Sequence, residues 1–468
     1  MIAAGERPLY LREVLRTMQA TIAPELSSDR ALDAIGCIER VLAHLIVADE
    51  QGDELERDFA DRVDAALADG RPQAVSLATA QSLAQTGRLD AKARHALADA
   101  ERAYLRDLAR KRDALLRPAS QDGGRAQVCS ITAAQLTGYL RARFPQYPGI
   151  YADSIELIPG GRSKETLLVD LRDAGFLSGL RVMRKDVAIG LNATRTSDEF
   201  PTLTLAMEAG VPVPQPLLVE DDPDKLDGTF MIVARVRGEK KGEIFPDVAF
   251  PTEGKPEIGA QLAAILARIH QIPIARTGRE APDRTTVKSA TLSRIDAAAA
   301  RFAAVTQGEP STLFGLAVCW LRDNIDDALQ GPIVLRHGDL GLHNMLIDGT
   351  TITAMLDWEL SEPGYPAADL GALRHSVKAL MPWQDFVEGY VQAGGDRLAA
   401  NDHSVRFFSI LGKIAGMSNT QLGGEMFRTG TKRSIVTANS AADFRYRLAL
   451  LLADELADAL DPAAPAPK

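Results

Sequence analysis

Three side chains in one short stretch have the types and spacing for a single reaction. They lie in Val334-Leu335-Arg336-His337-Gly338-Asp339-Leu340-Gly341-Leu342-His343-Asn344 and in the Met355-Leu356-Asp357-Trp358-Glu359 that follows. Asp339 is a carboxylate that could take a proton from a nucleophilic hydroxyl. Asn344 and Asp357 are hard oxygen donors of the kind that Mg²⁺ accepts alongside phosphate oxygens. Phosphoryl transfer asks for little else, because positioning and charge neutralisation do most of its work. His-Gly-Asp alone would fit an ordinary turn. The four residues between Asp339 and Asn344, and a second Asp beyond a hairpin, make the pattern far more specific.

The surrounding elements explain how the three could meet. Ile333-Val334-Leu335 reads as a short strand entering the loop. Met345-Leu346-Ile347 and Thr351-Ile352-Thr353-Ala354-Met355 flank Asp348-Gly349, a strong hairpin signal. The hairpin would fold Asp357 back on Asn344. Upstream, strand-like text at 154–158, 166–171 and 180–184 frames Pro159-Gly160-Gly161-Arg162-Ser163-Lys164-Glu165. This is a glycine-rich turn without the GxxxxGK[ST] of a Walker loop. It is either a plain hairpin or a loop whose Gly160 and Gly161 amides and Ser163 hydroxyl cover nucleotide phosphates. Arg184 and Lys185 close the third strand, and either could hold phosphate.

Ser197-Asp198-Glu199 reads as a helix start with Ser197 as cap. Glu199 could pair with the strand cation, or be an ordinary acid at a helix N-terminus. Pro212 to Pro216 is extended, and 229–236 is an apolar strand leading to a mainly helical region. Polar candidates near an acceptor pocket there are Arg374, His375 and Arg428, each expected at the surface.

The first 127 residues read as amphipathic helices. Leu11, Val14, Leu15, Met18 and Ile22 share one face. Further helices are expected from about 29 to 46, at 54–67, at 73–85 and at 90–116. No catalytic constellation falls here. A small bundle is expected, serving dimerisation, docking of a partner protein or cover for the enzyme domain. Residues 117–125, rich in turn formers, read as the linker.

Composition bounds the rest. A net charge of −10 argues against a general nucleic-acid binder. No apolar run reaches the ~18 residues of a membrane span. Residues 1–7 lack a signal-peptide layout, so a cytoplasmic location is expected. Three scattered cysteines suit reduced thiols better than a disulfide framework.

The His337–Asn344 and Leu356–Glu359 texts, followed by Pro363-Gly364-Tyr365-Pro366-Ala367-Ala368-Asp369-Leu370-Gly371, resemble the aminoglycoside phosphotransferase (APH/choline kinase-like) family. The resemblance spans about residues 130–460 and runs in the family's order. Within the family the text looks more like the bacterial, acyl-CoA-dehydrogenase-associated branch than the drug-resistance enzymes. It implies an α+β, two-lobed protein-kinase-like fold: an antiparallel-sheet lobe over 128–240 and a helical lobe over 241–468, preceded here by an all-α domain over 1–127. It implies Asp339 as catalytic base, Asn344 and Asp357 as Mg²⁺ ligands, and His337 as a loop brace. Glu359 would support the site and Asp369 would hold loop structure. ATP and Mg²⁺ would be the cofactors and a small hydroxylated molecule the acceptor. Two departures stand out: Arg184 where many members carry Lys, and the N-terminal helices. The rival reading is a nucleotide-binding regulatory or scaffold protein acting through those helices.

Overall fold

The computed structural model describes residues 7–26, 29–67, 89–116, 130–158, 164–186, 195–242, 254–305, 311–431, 438–439 and 443–461. The helix expected at 73–85, the linker at 117–125, Cys129 and the Gly160-Gly161-Ser163 turn lie outside them. The chain forms two compact units, one of residues 124–282 with 331–400, the other of 1–123 with 283–330 and 401–468.

The first unit carries the candidate site. Helix α4 (Ala133–Arg143) starts with a capping box, in which Thr132 and Gln135 satisfy each other's backbone N–H groups. Five antiparallel strands follow in the order β1-β2-β3-β5-β4: β1 (Tyr151–Ile158), β2 (Lys164–Arg172), β3 (Gly179–Asp186), β4 (Pro216–Glu220) and β5 (Phe230–Ala234). Period-two alternation sends Leu167, Val169 and Leu171 to one face. There they join Leu136 and Leu140 of α4, Met183, Phe230 and Ile232 in the core.

Helix α5 (Thr196–Glu208) crosses from β3 to β4. Its cap differs from expectation. Arg195 occupies the cap position without a side-chain bond, and Ser197 lies inside the first turn. The Asp186 carboxylate at the end of β3 does the work, accepting from the Thr196 amide at 3.1 Å and from the Thr196 and Thr229 hydroxyls. A cap supplied across two elements fixes the helix to the sheet as well as satisfying its amide.

Beyond the sheet come α6 (Lys255–His270), β6 (Val334–Arg336), the hairpin β7 (Met345–Asp348) and β8 (Thr351–Met355), β9 (Glu362–Gly364), α9 (Pro366–Lys378) and α10 (Trp383–Gln392). The hairpin closes at Asp348-Gly349 as its sequence demands, with Gly349 at φ 60°. Glu239 and Ile347 exchange backbone hydrogen bonds of 2.9 Å, seating the hairpin on the segment that follows β5. Arg374 corrects the surface expectation. Arg374 is buried, and its guanidinium lies 5.6 Å from the Trp383 ring centre. The Arg428 side chain lies outside the described residues.

The second unit is helical: α1 (Arg7–Thr17), α2 (Asp29–Leu67), α3 (Ala91–Asp113), α7 (Arg284–Val305), α8 (Thr312–Ala328), α11 (Asp402–Thr429) and α12 (Arg445–Leu460). The helices expected separately at 29–46 and 54–67 are one helix, running straight through Gly52. The face expected for the first helix is also broken. Residues 18–22 form a π turn, which winds more slowly than an α-helix and rotates Ile22 off the stripe. Ile22 is accordingly exposed; Val14, within α1 itself, is exposed at the edge of the stripe, while Leu15 and Met18 are buried. Asp443 gathers Arg112, Arg40 and Arg447 in this unit's interior. No described helix is long and apolar enough to cross a membrane.

Candidate active site

The loop between β6 and β7 is held from beneath. Asp369, in the first turn of α9, is 1% exposed, and its carboxylate accepts the His337 amide at 2.8 Å and the Gly338 amide at 3.0 Å. His270 at the end of α6 lies 3.3 Å from the same carboxylate and 2.8 Å from the Tyr390 hydroxyl. Burial alone would raise the Asp369 pKa; the hydrogen bond and charge of His270, with Arg336 and His337, outweigh it and lower the value to about 2. The ring of His337 is wholly buried against Trp358, and its Nδ1 faces the Asp339 amide at 3.3 Å. Burial pushes the His337 imidazole below its usual range.

Gly338 is required by both conformation and space. Its φ is 90°, and a Cβ there would stand 2.1 Å from the Leu360 carbonyl oxygen. Gly338→Ala should therefore cost at least ~1–3 kcal/mol of stability through backbone strain. Unfolding by denaturant would read the loss, and a parental midpoint would contradict the assigned loop geometry.

Asp339 and Asn344 form one unit. The Asn344 amide nitrogen donates to the Asp339 backbone oxygen at 2.9 Å and to its Oδ2 at 3.0 Å. With the nitrogen so used, the Asn344 carbonyl oxygen is the atom left to meet a cation. Burial works to raise the Asp339 pKa, but His343, His337 and Asn344 together hold it below the usual carboxylate range. Asp339 is thus held ionised at neutral pH.

Asp357 lies two residues beyond the return strand, where the Leu356 amide donates to the Asn344 backbone carbonyl at 2.8 Å. Its φ of 66° is a left-handed conformation uncommon for a residue with a side chain. Its carboxylate takes Arg184 Nη2 at 3.0 Å, and Arg184 Nη1 binds Glu199 at 2.7 Å. Burial disfavours the Arg184 charge, but Glu199, Asp357 and Glu359 overcome this and raise its pKa. Glu199, 2% exposed, also accepts the Trp358 amide at 3.1 Å.

Of the two strand cations, Arg184 faces the carboxylates. Lys185 lies on the other side of the pleat, donating to the Asp227 carbonyl at 2.9 Å. The structure does not bring Lys185 to the cluster. Reading the sequence also missed Lys164, the first residue of β2. Its ammonium is buried within 3.4 Å of Glu359, 3.5 Å of Glu199 and 3.9 Å of Asp186. Its position just after the glycine-rich turn was the available signal.

The cluster of Lys164 and Arg184 with Asp186, Glu199, Asp357 and Glu359 sets two cations against four carboxylates. Its formal negative excess suits an added cation. Among the described residues no three His, Cys, Asp or Glu gather as a metal cage. One carboxylate and one carboxamide suit a metal that completes its shell with phosphate oxygens and water.

An antiparallel sheet lobe followed in the chain by helices, the loop and the hairpin defines the protein-kinase-like class of fold. A crystal structure of a protein assigned to the aminoglycoside phosphotransferases, from Ralstonia eutropha JMP134, shares it. The TM-score is 0.50 at 18% identity, covering 68% of this chain and 98% of that one. Residues 154–408, more than half of the chain, match the phosphotransferase enzyme family (APH), and the chain belongs to that family. Among curated proteins it is similar to acyl-CoA dehydrogenase family member 11 of Gallus gallus, 30% identical over 239 residues, 48% of this chain and 28% of that protein. The Rattus norvegicus counterpart is 27% identical over 190 residues, 39% of this chain and 23% of that protein. The matches thus span about a quarter of the length of these relatives.

Proposed function

We propose that the chain is an ATP- and Mg²⁺-dependent kinase that phosphorylates a hydroxyl of a small molecule. The observation that carries this is the pairing of Asp339 with Asn344 beside an Asp357 that is tied to Arg184 and Glu199. Asp339, kept ionised by its neighbours, would orient the acceptor hydroxyl and take its proton as the oxygen attacks phosphorus. Asn344 and Asp357 would hold Mg²⁺ on the phosphates. The metal, when bound, would neutralise charge on the transferring group. Arg184 offers a planar two-pronged donor suited to phosphate. The Gly160-Gly161-Ser163 turn would cover the nucleotide, with Glu199 orienting Arg184 and Glu359 supporting from behind.

The acceptor class includes amino alcohols, sugars, antibiotics and hydroxyacyl thioesters. The partial likeness to acyl-CoA dehydrogenase family member 11 supports including hydroxyacyl-CoAs in any screen. The helices of 1–127 would serve a homodimer or a docked protein.

Titration calorimetry of ATP with and without Mg²⁺ tests the metal assignment. The parent should bind ATP more tightly with Mg²⁺, and Asp357→Ala should lose most of that gain. An Asp357→Ala variant with undiminished Mg²⁺ dependence would remove Asp357 from the site.

A further inference from the structure

Lys164 has no part in the proposed chemistry, yet it is a buried cation set among the site's carboxylates. It is 5% exposed, and among the described residues its Nζ makes no hydrogen bond. Three carboxylates surround that nitrogen at 3.4–3.9 Å. A buried lysine gains little from remaining charged unless its partners need the charge.

Glu199 supplies the reason. Its Oε1 takes both Arg184 and the Trp358 amide. Its Oε2 is buried with no hydrogen bond among the described residues, and only Lys164 offers it an ammonium, at 3.5 Å. Glu199 is therefore a buried carboxylate with a cation on each oxygen. One cation, Arg184, is also bound to Asp357, so it is committed to the two groups that a Mg²⁺-nucleotide would disturb. If phosphate draws Arg184 away, Glu199 needs a second counter-charge to remain buried and ionised. The same carboxylate accepts the Trp358 amide, next to the left-handed turn at Asp357.

We infer that Lys164 is a positioning residue: it neutralises Glu199 and Glu359 so that Arg184 can turn to the nucleotide while the Asp357-Trp358-Glu359 segment stays in place. The inference rests on the kinase reading above and adds a residue to it. It assigns Lys164 no contact with substrate. It makes strand β2, as well as β3, a source of the charge that prepares the site.

The test is calorimetric binding of ATP with Mg²⁺ to the full chain. Lys164→Met keeps the length of the side chain and removes its charge. It should weaken binding about tenfold or more, because a buried carboxylate loses its counter-charge. Adding Glu359→Gln to Lys164→Met removes one of the carboxylates left uncompensated, and should recover part of the loss. A purely space-filling role would give no such recovery. Parental affinity in folded Lys164→Met, or a loss that Glu359→Gln leaves unchanged, overturns the inference. Should Lys164→Met not fold, Lys164→Arg carries the test: with charge retained it should bind within a few-fold of the parent, and abolished binding in folded protein overturns the assignment. A parent chain that binds no ATP with Mg²⁺ overturns the kinase reading and this inference together. Parental binding with an indifferent Lys164→Met removes only the inference.

Discussion

Asp339→Asn is expected to lower phosphoryl transfer by roughly 10²–10⁴-fold, the usual contribution of a positioned general base. ATP binding should change little, since Asp339 is assigned to the acceptor side. The substitution is nearly isosteric, and its carbonyl oxygen can still accept the Asn344 amide that now reaches Oδ2 at 3.0 Å. The loop should therefore keep its shape while losing its proton acceptor. The Asp339 pKa is already low in the fold, so the parent should keep its base ionised well below neutrality. A loss confined to turnover, with nucleotide affinity and thermal midpoint near parental, separates a missing base from a damaged loop.

Asp369→Ala is expected to have the largest effect on stability. Its carboxylate satisfies two amides of the loop and lies against His270, all in the interior. Removing it orphans the His337 and Gly338 N–H groups and one side of His270. Each unsatisfied buried group costs about 1–3 kcal/mol, and breaking a buried pair costs about 3–5 kcal/mol. These costs overlap because all three partners share one carboxylate, and a loss of about 3–5 kcal/mol or more should lower the melting temperature by on the order of 10 °C. Asp369→Asn keeps one acceptor oxygen and should lose less.

The same residue predicts a dependence on acid. Its pKa in the fold, about 2, is below the ordinary carboxylate value of 3.8. The unfolded chain therefore takes up this proton first as pH falls. The stabilisation is complete above the ordinary value and drains away toward the folded one. The gap in stability between parent and Asp369→Ala should narrow as pH is lowered from about 4 to about 2. A gap independent of pH across that interval would mean that the carboxylate charge is not what holds the loop.

The parts of the site that lie close in sequence were legible from it. Asp339 and Asn344 are joined by a short loop, and Asp348-Gly349 dictates a turn that brings Asp357 back to them. The strand-like text of β1, β2 and β3 was legible as well, and the apolar residues of β2 meet α4 in the core. The pairing of Glu199 with a strand cation was legible as one of two readings, but which cation makes it was not. Arg184 and Lys185 are adjacent and chemically alike, and only the register of β3 decides which one faces Glu199. Lys164 looked like the polar flank of a turn, because the carboxylates that enclose it come from positions 186, 199 and 359. The cap on α5 went to Ser197 for the same reason: a local signal was present, but Asp186 reaches the helix through the sheet. In the helical unit, the π turn after α1 shifted a face that strict helical spacing had placed. No local signal announces that residues 283–330 and 401–468 pack with the N-terminal helices, because that grouping depends on contacts far apart in sequence.

The central claim is that the Asp339–Asn344–Asp357 site transfers phosphate from ATP to a hydroxyl. Its most direct test is ³¹P NMR of the full chain with ATP, Mg²⁺ and a panel of hydroxylated metabolites that includes hydroxyacyl-CoAs. A new phosphate-ester resonance is expected with at least one acceptor, growing with ADP, dependent on Mg²⁺ and suppressed in Asp339→Asn. A phosphate ester formed as fast by Asp339→Asn as by the parent would contradict the claim.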